Sequence, residues 1–307
     1  MSDHEKILVS VGIPAYNRPD KLERTLKTII HQTYTDLEII ISVDYSEKSD
    51  VIEKIVQSYM KDDPRIHFYR HSNRIGMIEN FGFVLKTATG KYFMWSSDDD
   101  EWSPKFIEST LACLENDSNS KMAFSNMVSI DAFGNVIRYY LDYARFTEKN
   151  KLKNLMRFVF EPEVLGKANL MYSLFERKFC TNIWTKIYGD RNFSWGADNG
   201  LALCALLQTN VLIVDDVLFF KRLSRPEDSV DDVRPIKIVP FFGVFPFAES
   251  LSYTCNIIRA CKGTCYWPLV FCCMLVRMPH SLLISMMKTL LLALKIYVPI
   301  EADNAGI

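Results

Sequence analysis

The sequence predicts an α/β fold, a mostly parallel central sheet sandwiched by helices, followed by an apolar helical extension. Three observations carry that prediction. Short apolar runs alternate with helical periodicities from residue 7 to about 100. An acidic triplet, Asp98, Asp99 and Asp100, stands directly after the apolar run Tyr92-Phe93-Met94-Trp95, where a buried strand leaves the core. The composition then shifts near Arg234-Pro235, beyond which three strongly apolar stretches follow.

Each element follows from its residues. Ile7-Leu8-Val9-Ser10-Val11 is rich in β-branched residues and opens a strand over 7–13. A helix over 20–32 follows, where Leu22, Leu26, Ile29 and Ile30 recur at helical spacing and Asp20 stands in position to cap the start. The run 37–43 is again strand-like, and Val51, Ile52, Ile55 and Val56 mark a helix over 49–61. A strand at 66–69, a helix over 77–88 and a strand at 92–95 complete the alternation. In such sheets ligands bind outside the carboxyl ends of the strands. The polar residues there therefore converge: Pro14-Ala15-Tyr16-Asn17-Arg18 after the first strand, Asp44 after the second, Asn73 after the third and the acidic triplet after the fourth.

Beyond the triplet the pattern predicts a helix over 104–115, a strand over 121–130, a turn at 131–135 and a return strand over 136–141. Residues 145–166 mix charge with aromatics and read as a mobile loop plus a helix over the site. A helix over 200–208 and strands at 211–214 and 217–220 come next, with no internal repeat or low-complexity segment. Two domains are expected, residues 1–234 and residues 235–307. In the second, the apolar stretches are interrupted by Arg259, Lys262, Arg277, Lys288 and Lys295, so none offers the ~20 charge-free residues of a spanning helix. Either an appendage lying on a membrane surface or a helical unit packed on the first domain or on a second copy fits this pattern.

With 36 basic and 37 acidic residues the net charge is −1, which gives no footing for nucleic-acid binding. The eight cysteines lie in a long chain and inside apolar segments, so reduced buried thiols are expected rather than disulfides. The polar opening Met1-Ser2-Asp3-His4-Glu5-Lys6 shows no secretory signal, which predicts a cytosolic start. Three adjacent carboxylates repel one another, and a hard cation, Mg2+ or Mn2+, relieves that repulsion and can hold a diphosphate. A solvated acidic turn is the plainer reading of the triplet taken alone.

Taken together, Val9-Ser10-Val11-Gly12-Ile13-Pro14-Ala15-Tyr16-Asn17-Arg18, Leu37-Glu38-Ile39-Ile40-Ile41-Ser42-Val43-Asp44, Asn73-Arg74-Ile75-Gly76 with Asn80, and Ser97-Asp98-Asp99-Asp100 resemble the family-2 glycosyltransferases of the GT-A fold. The resemblance is dense over residues 7–104, patchy to about 225 and absent beyond. It implies an inverting, metal-dependent enzyme that takes a sugar from a nucleotide diphosphate, UDP above all, to a hydroxyl of a glycan or lipid-linked acceptor. Pro14, Tyr16 and Arg18 would border base and diphosphate, Asp44 would accept a pyrimidine N3 hydrogen, and Asn73 would line the same side. Asp98 is assigned to the ribose, and Asp99 and Asp100 to Mn2+ or Mg2+, with Asp98 and Asp99 interchangeable. Ser97 stands where the family's first acid is usual.

The family's base lies in an acidic pair opening a helix, and Trp195-Gly196-Ala197-Asp198-Asn199-Gly200 resembles it, with Ala197 replacing the first acid and Asp198 as the base. Asp198 as a mere helix cap is the structural alternative. Of Lys221 and Arg222, strand alternation lets only one face the diphosphate, and Arg222 is expected there, followed by a mobile loop at 224–229. A bacterial enzyme at the inner face of the cytoplasmic membrane fits the apolar tail by analogy, with peripheral contact through 235–300 or a homo-oligomer as alternatives. Two rivals remain: a nucleotidyltransferase, which would want a Gly-rich basic loop after the first strand, and a non-catalytic glycan- or nucleotide-binding relative. No Gly-x-Gly-x-x-Gly supports a dinucleotide oxidoreductase.

Overall fold

A computed structural model of the chain describes residues 7–162, 165–189, 196–223, 247–277 and 283. The expected boundary at 234/235, the loop at 224–229, Trp195 and nearly all of the apolar run 282–298 lie outside the described residues. The first half alternates as the sequence predicts: β1 (Val9–Ala15), α1 (Pro19–Ile30), β2 (Leu37–Val43), α2 (Ser49–Met60), β3 (Ile66–Arg70), α3 (Met77–Thr87) and β4 (Tyr92–Trp95). Then come β5 (Glu101–Trp102), α4 (Phe106–Asn116), β6 (Met122–Ile130), β7 (Val136–Tyr140), α5 (Lys151–Phe160), β8 (Leu174–Glu176), α6 (Arg177–Tyr188), α7 (Ala197–Gln208), β9 (Val211–Arg222) and α8 (Phe247–Cys261). The strands form one sheet in the order β3-β2-β1-β4-β8-β6-β9-β5, with β7 beside β6.

The four strands from β3 to β4 are parallel, so all four deliver their carboxyl ends to one edge of the sheet. Beyond β4 the sheet is mixed: β8 runs antiparallel to β4 and β6, while β9 returns parallel to β6. β1, β2 and β4 are nearly continuous buried runs, as strands covered on both faces are, while the edge strand β3 buries only Ile66. Gly12 shows how closely α3 approaches β1: a Cβ there would stand 2.7 Å from Val84 Cγ2 and 2.9 Å from Phe93 Cζ. From α3, Asn80 Nδ2 donates to Ala15 O (3.3 Å) and Ser42 O (3.1 Å), tying that helix to the ends of β1 and β2.

Several details depart from the sequence reading. β1 continues through Pro14 to Ala15. Val9 N bonds toward β2 and Ser96 N bonds to Gly12 O on the other side, so by alternation the Pro14 nitrogen faces the β4 side, where β4 pairs only as far as Gly12. Asp20 does not cap α1. Arg18 is the N-cap residue, its side chain not capping the helix, Pro19 takes the first turn, and Asp20 adds charge favourable to the helix dipole. The break expected at Asp215-Asp216 is a bulge within one long strand, where pairing jumps from Ser125↔Val214 to Asn126↔Val217 and Asn126 Nδ2 holds Asp215 O at 2.8 Å.

Residues 151–160 form α5 and bury Leu155, Phe158 and Val159, with the 3-10 turn before it burying Tyr143 and Phe146. The sequence pattern does not mark β8 or α6. α6 is amphipathic through Cys180, Ile183 and Ile187, and its Trp184 packs 5.1 Å from Trp95. No helix among the described residues is long and apolar enough to cross a membrane. The extension's described part packs on the first domain: α8 lies along α7, burying Tyr253, Ile257, Ala260 and Cys261.

Filling the Gly12 gap overpacks the α3–β1 contact. We expect Gly12→Ala to lower stability by about 1–3 kcal/mol in urea unfolding. Val84→Ala in the same chain should recover part of that loss, an antagonism that unrelated sites would not show.

Candidate active site

The acidic loop is built between two tryptophans. Trp95 ends β4, is fully buried, and donates from Nε1 to Phe81 O at 3.0 Å. Trp102 in β5 stacks on Phe219 at 4.3 Å and donates from Nε1 to Ser96 Oγ at 2.9 Å. The chain between them cannot drift from the sheet, and its three carboxylates receive separate partners. Asp98 Oδ2 accepts the Tyr16 backbone N–H at 3.0 Å, and its Oδ1 stands 3.4 Å from Arg18 Nη2. Asp99 Oδ2 takes Arg18 Nη1 at 2.5 Å, and its Oδ1 accepts the Ser97 hydroxyl at 2.6 Å. Asp100 Oδ1 accepts the Arg222 N–H at 3.0 Å, while its backbone oxygen accepts Thr25 Oγ1 at 2.7 Å.

Arg18 reaches back to the loop because Asn17 adopts a left-handed φ of 57°, which turns the chain sharply after Tyr16. Burial pushes the Asp98 carboxyl up to about 7, with Asp99 adding to the rise and Arg18 opposing it. Burial, then Asp99, raises Asp100 to about 8, and Lys221 opposes it. Asp99 is the more open of the first two, its side chain 14% exposed against 4% for Asp98.

Asp44 is also buried, at the end of β2. Its Oδ1 accepts the backbone N–H of Tyr45 and of Ile75 (2.8 Å each) and its Oδ2 that of Gly76 (2.9 Å), so it pins the loop that carries Asn73. An ionised carboxylate offers about four acceptor positions, and three are used here. Asn73 is exposed on that loop, with Nδ2 only 3.4 Å from Ser72 Oγ. Its neighbour Arg74, not singled out from the sequence, lies over the Tyr16 ring at 4.8 Å. Pro14 is buried within β1 and faces no solvent.

The two basic residues of β9 divide as alternation requires, in the opposite sense to the expectation. The Arg222 guanidinium is engaged by Glu101 and by Asp131 O (2.5 Å), and it meets the acidic loop through its backbone N–H. Lys221 is the side chain whose charge acts on Asp100, and its Nζ also donates to Asn169 Oδ1 at 2.7 Å.

Asp198 lies in the first turn of α7, where the helix dipole favours a carboxylate. Its Oδ1 accepts from Asn199 N (2.8 Å) and Asn199 Nδ2 (3.3 Å). The cap residue Gly196 has φ 79°, and a Cβ there would stand 2.7 Å from Tyr253 Cδ2, so both backbone and packing require glycine. Asp198 and the triplet share a neighbour that sequence reasoning missed. Tyr172 closes a 3-10 turn (Lys167–Tyr172) and sits against Phe219 at 5.6 Å. Its hydroxyl is raised well above the phenol range by burial and then by the charges of Asp100, Asp99 and Asp198. Nothing periodic marks Tyr172; only the fold brings it here.

The donors suit a hard cation: all are oxygens, and two of the acids are held up by burial and by a like-charged neighbour, a state that a divalent ion relieves. Among the described residues no three His, Cys, Asp or Glu side chains form a ready-made cage.

The sheet order and the acidic loop at the carboxyl edge of its parallel strands define a GT-A-type glycosyltransferase scaffold. The chain belongs to Glycosyl transferase family 2, whose profile matches residues 10–179. It is 23% identical over 273 residues to an uncharacterized glycosyltransferase of Methanocaldococcus jannaschii, covering 88% of this chain and 90% of that one. It is 31% identical over 196 residues to the GalNAc(5)-diNAcBac-PP-undecaprenol beta-1,3-glucosyltransferase of Campylobacter jejuni, covering 60% of this chain and 61% of that protein. Solved structures share the fold. S. aureus TarS in complex with UDP-GlcNAc superposes with TM-score 0.64 at 14% identity, over 97% of this chain and 78% of that one. A mannosyltransferase from Pyrobaculum calidifontis in complex with GDP-Man and Mn2+ does so with TM-score 0.54 at 15% identity, over 96% and 77%.

The raised acidities set a pH dependence for the metal-free protein. Asp98 and Asp100 hold protons when folded that the unfolded chain releases near 3.8, so their contribution favours folding on the acid side and is lost as pH rises through 7 to 8. With EDTA present, the melting temperature should fall between pH 6.5 and 8.5, and Asp100→Asn should flatten that fall. An unchanged slope in the variant would remove Asp100 as its source.

Proposed function

We propose that this protein is an inverting glycosyltransferase that moves a sugar from a nucleoside diphosphate, UDP by preference, to a hydroxyl of a glycan or lipid-linked acceptor. One observation carries the reading: the triplet leaves the sheet at the carboxyl edge of four parallel strands, where Tyr16, Arg18 and the Arg222 backbone N–H converge on it. The likeness to the Campylobacter glucosyltransferase supports a lipid-linked acceptor, and the fold shared with the UDP-GlcNAc complex of TarS supports a uridine donor.

In this reading the base stacks near Tyr16, with Arg74 above that ring and Asn73 beside it. The remaining acceptor position of Asp44 takes the N3 hydrogen of a uracil ring, which disfavours a base lacking that donor. Asp98, fixed by the Tyr16 amide, serves the ribose hydroxyls, and Asp99 and Asp100 hold Mn2+ or Mg2+. The bound ion supplies Lewis-acid neutralisation of charge on the leaving diphosphate. Lys221 adds a positive charge on that side, while Arg222 contributes its backbone N–H and braces the loop through Glu101. Asp198, at the helix N-terminus and oriented by Asn199, removes the acceptor proton as the hydroxyl attacks the anomeric carbon in line with the departing phosphate.

Action at the inner face of the cytoplasmic membrane follows from a lipid-linked acceptor. The described surface that suits peripheral contact is the helical stretch 267–277, where Trp267, Phe271 and Leu275 are exposed.

Three measurements test the reading. Asp198→Asn should lower transfer or slow UDP-sugar hydrolysis by about 10²–10⁴-fold while leaving UDP binding intact; undiminished turnover removes the base assignment. Calorimetry should show UDP binding tighter with Mn2+ than with EDTA, and equal affinities would rule against a metal-bridged diphosphate. Replacing Trp267 and Phe271 together by Ser should reduce flotation with liposomes, and full retention would move the membrane contact elsewhere.

A further inference from the structure

The last turns of α6 and α8 each carry a basic residue, Lys186 and Arg259, of the charge that a helix end favours. Each reaches across to the other helix: Lys186 Nζ donates to Ala260 O at 3.1 Å, and Arg259 Nη1 donates to Ile187 O at 3.3 Å. The chain then leaves α8 through Lys262 and Gly263, whose φ of 80° turns it, and is helical again from Trp267. A cavity of about 370 Å³ opens here, its wall including Lys186, Arg259, Lys262, Ile258 and Trp267 and containing no aspartate or glutamate. Helix ends account for the first two cations. They do not account for Lys262, which is exposed and lies outside α8. None of the three is ion-paired among the described residues.

Cations gathered in a concave wall without a counter-charge attract an anion, and two of these are already held in place by carbonyls, so little freedom is lost when one binds. The surroundings say which kind. Trp267 forms part of the cavity wall and opens the helical stretch on which Trp267, Phe271 and Leu275 are exposed, with the first two rings stacked at 5.7 Å. A soluble anion has no use for that apolar strip, whereas a lipid uses both parts, its phosphate at the cations and its acyl chains against the rings. We propose that this cavity binds the phosphate of an anionic phospholipid headgroup, with Arg259, Lys262 and Lys186 as its cationic partners. A choline headgroup is disfavoured there, because its ammonium would face like charges. The consequence reaches the candidate base. Arg259 belongs to the helix whose Tyr253 packs on Gly196, the cap before Asp198, so a headgroup held at Arg259 anchors the wall behind that turn.

This inference rests on the membrane contact read above for 267–277, so the experiment separates the two. Partitioning of the full chain is measured by flotation with vesicles of phosphatidylcholine alone and of phosphatidylcholine with phosphatidylglycerol. The native protein should prefer the anionic vesicles by about tenfold or more, and added salt should weaken that preference. Lys262→Gln and Arg259→Gln should each lower binding to the anionic vesicles about fivefold, with binding to phosphatidylcholine and to UDP unchanged. Lys54→Gln, the same charge change at an exposed position of α2, should have a much smaller effect. Equal binding of the native protein to both vesicles overturns the headgroup site and leaves the apolar contact standing; binding to neither overturns both. A loss in Lys54→Gln as large as in Lys262→Gln would make the attraction a matter of overall charge and overturn the site. Calorimetric binding of inorganic phosphate that Lys262→Gln abolishes, without any preference for anionic vesicles, would make the ligand a soluble phosphate and overturn the lipid assignment. Should Arg259→Gln unfold, Lys262→Gln decides alone.

Discussion

Three consecutive carboxylates held inside a folded protein are the constraint around which the rest of this structure is arranged. Such a loop would leave for solvent unless its ends were fixed, and Trp95 and Trp102 fix them, one buried at the end of β4 and the other stacked on Phe219. Within the clamp the β1–α1 turn meets Asp98 and Asp99 through Tyr16 and Arg18, and the Arg222 amide of β9 meets Asp100. The loop therefore joins the parallel half of the sheet to the mixed half. Its residual strain is electrostatic, visible in the raised carboxyls of Asp98 and Asp100. A divalent ion bound there would favour the ionised carboxylates that burial disfavours.

The second acidic feature depends on the extension. Asp198 sits in the first turn of α7, and the cap before it, Gly196, is packed against Tyr253 of α8. Gly200, one turn on, lies equally near Asn256, a Cβ there meeting Asn256 Cβ at 3.3 Å. The helix from the C-terminal third thus sets how the aspartate-bearing turn enters the site. α8, which lies beyond the composition change near residue 234, packs along α7.

How much was legible varied with the kind of signal. β2, β4 and the helices α1 to α4 could be read because apolar periodicity over 10 or so residues is a local property. α6 carries the same signal in Cys180, Ile183 and Ile187, diluted by threonines and charged residues. β5, two residues long, has no pattern to show. The convergence of Tyr16, Arg18, Asp44 and the triplet followed from the parallel alternation, which sends every strand end to one edge. The choice between Lys221 and Arg222 did not, because alternation limits the number facing the site to one without saying which. That was decided by Glu101 and Asp131, which draw the Arg222 guanidinium away.

By itself the sequence determined the parallel sheet, the family and the identity of the acids, because strand runs, helical spacing and an acidic triplet after a strand are local and survive in one dimension. Only the tertiary structure decided that Asp44 holds a loop by three backbone N–H groups, that Arg18 reaches Asp99, and that α8 backs the turn bearing Asp198. Those relations join residues tens of positions apart. Their energies depend on burial and on distances of a few ångströms, and neither exists until the chain has closed on itself.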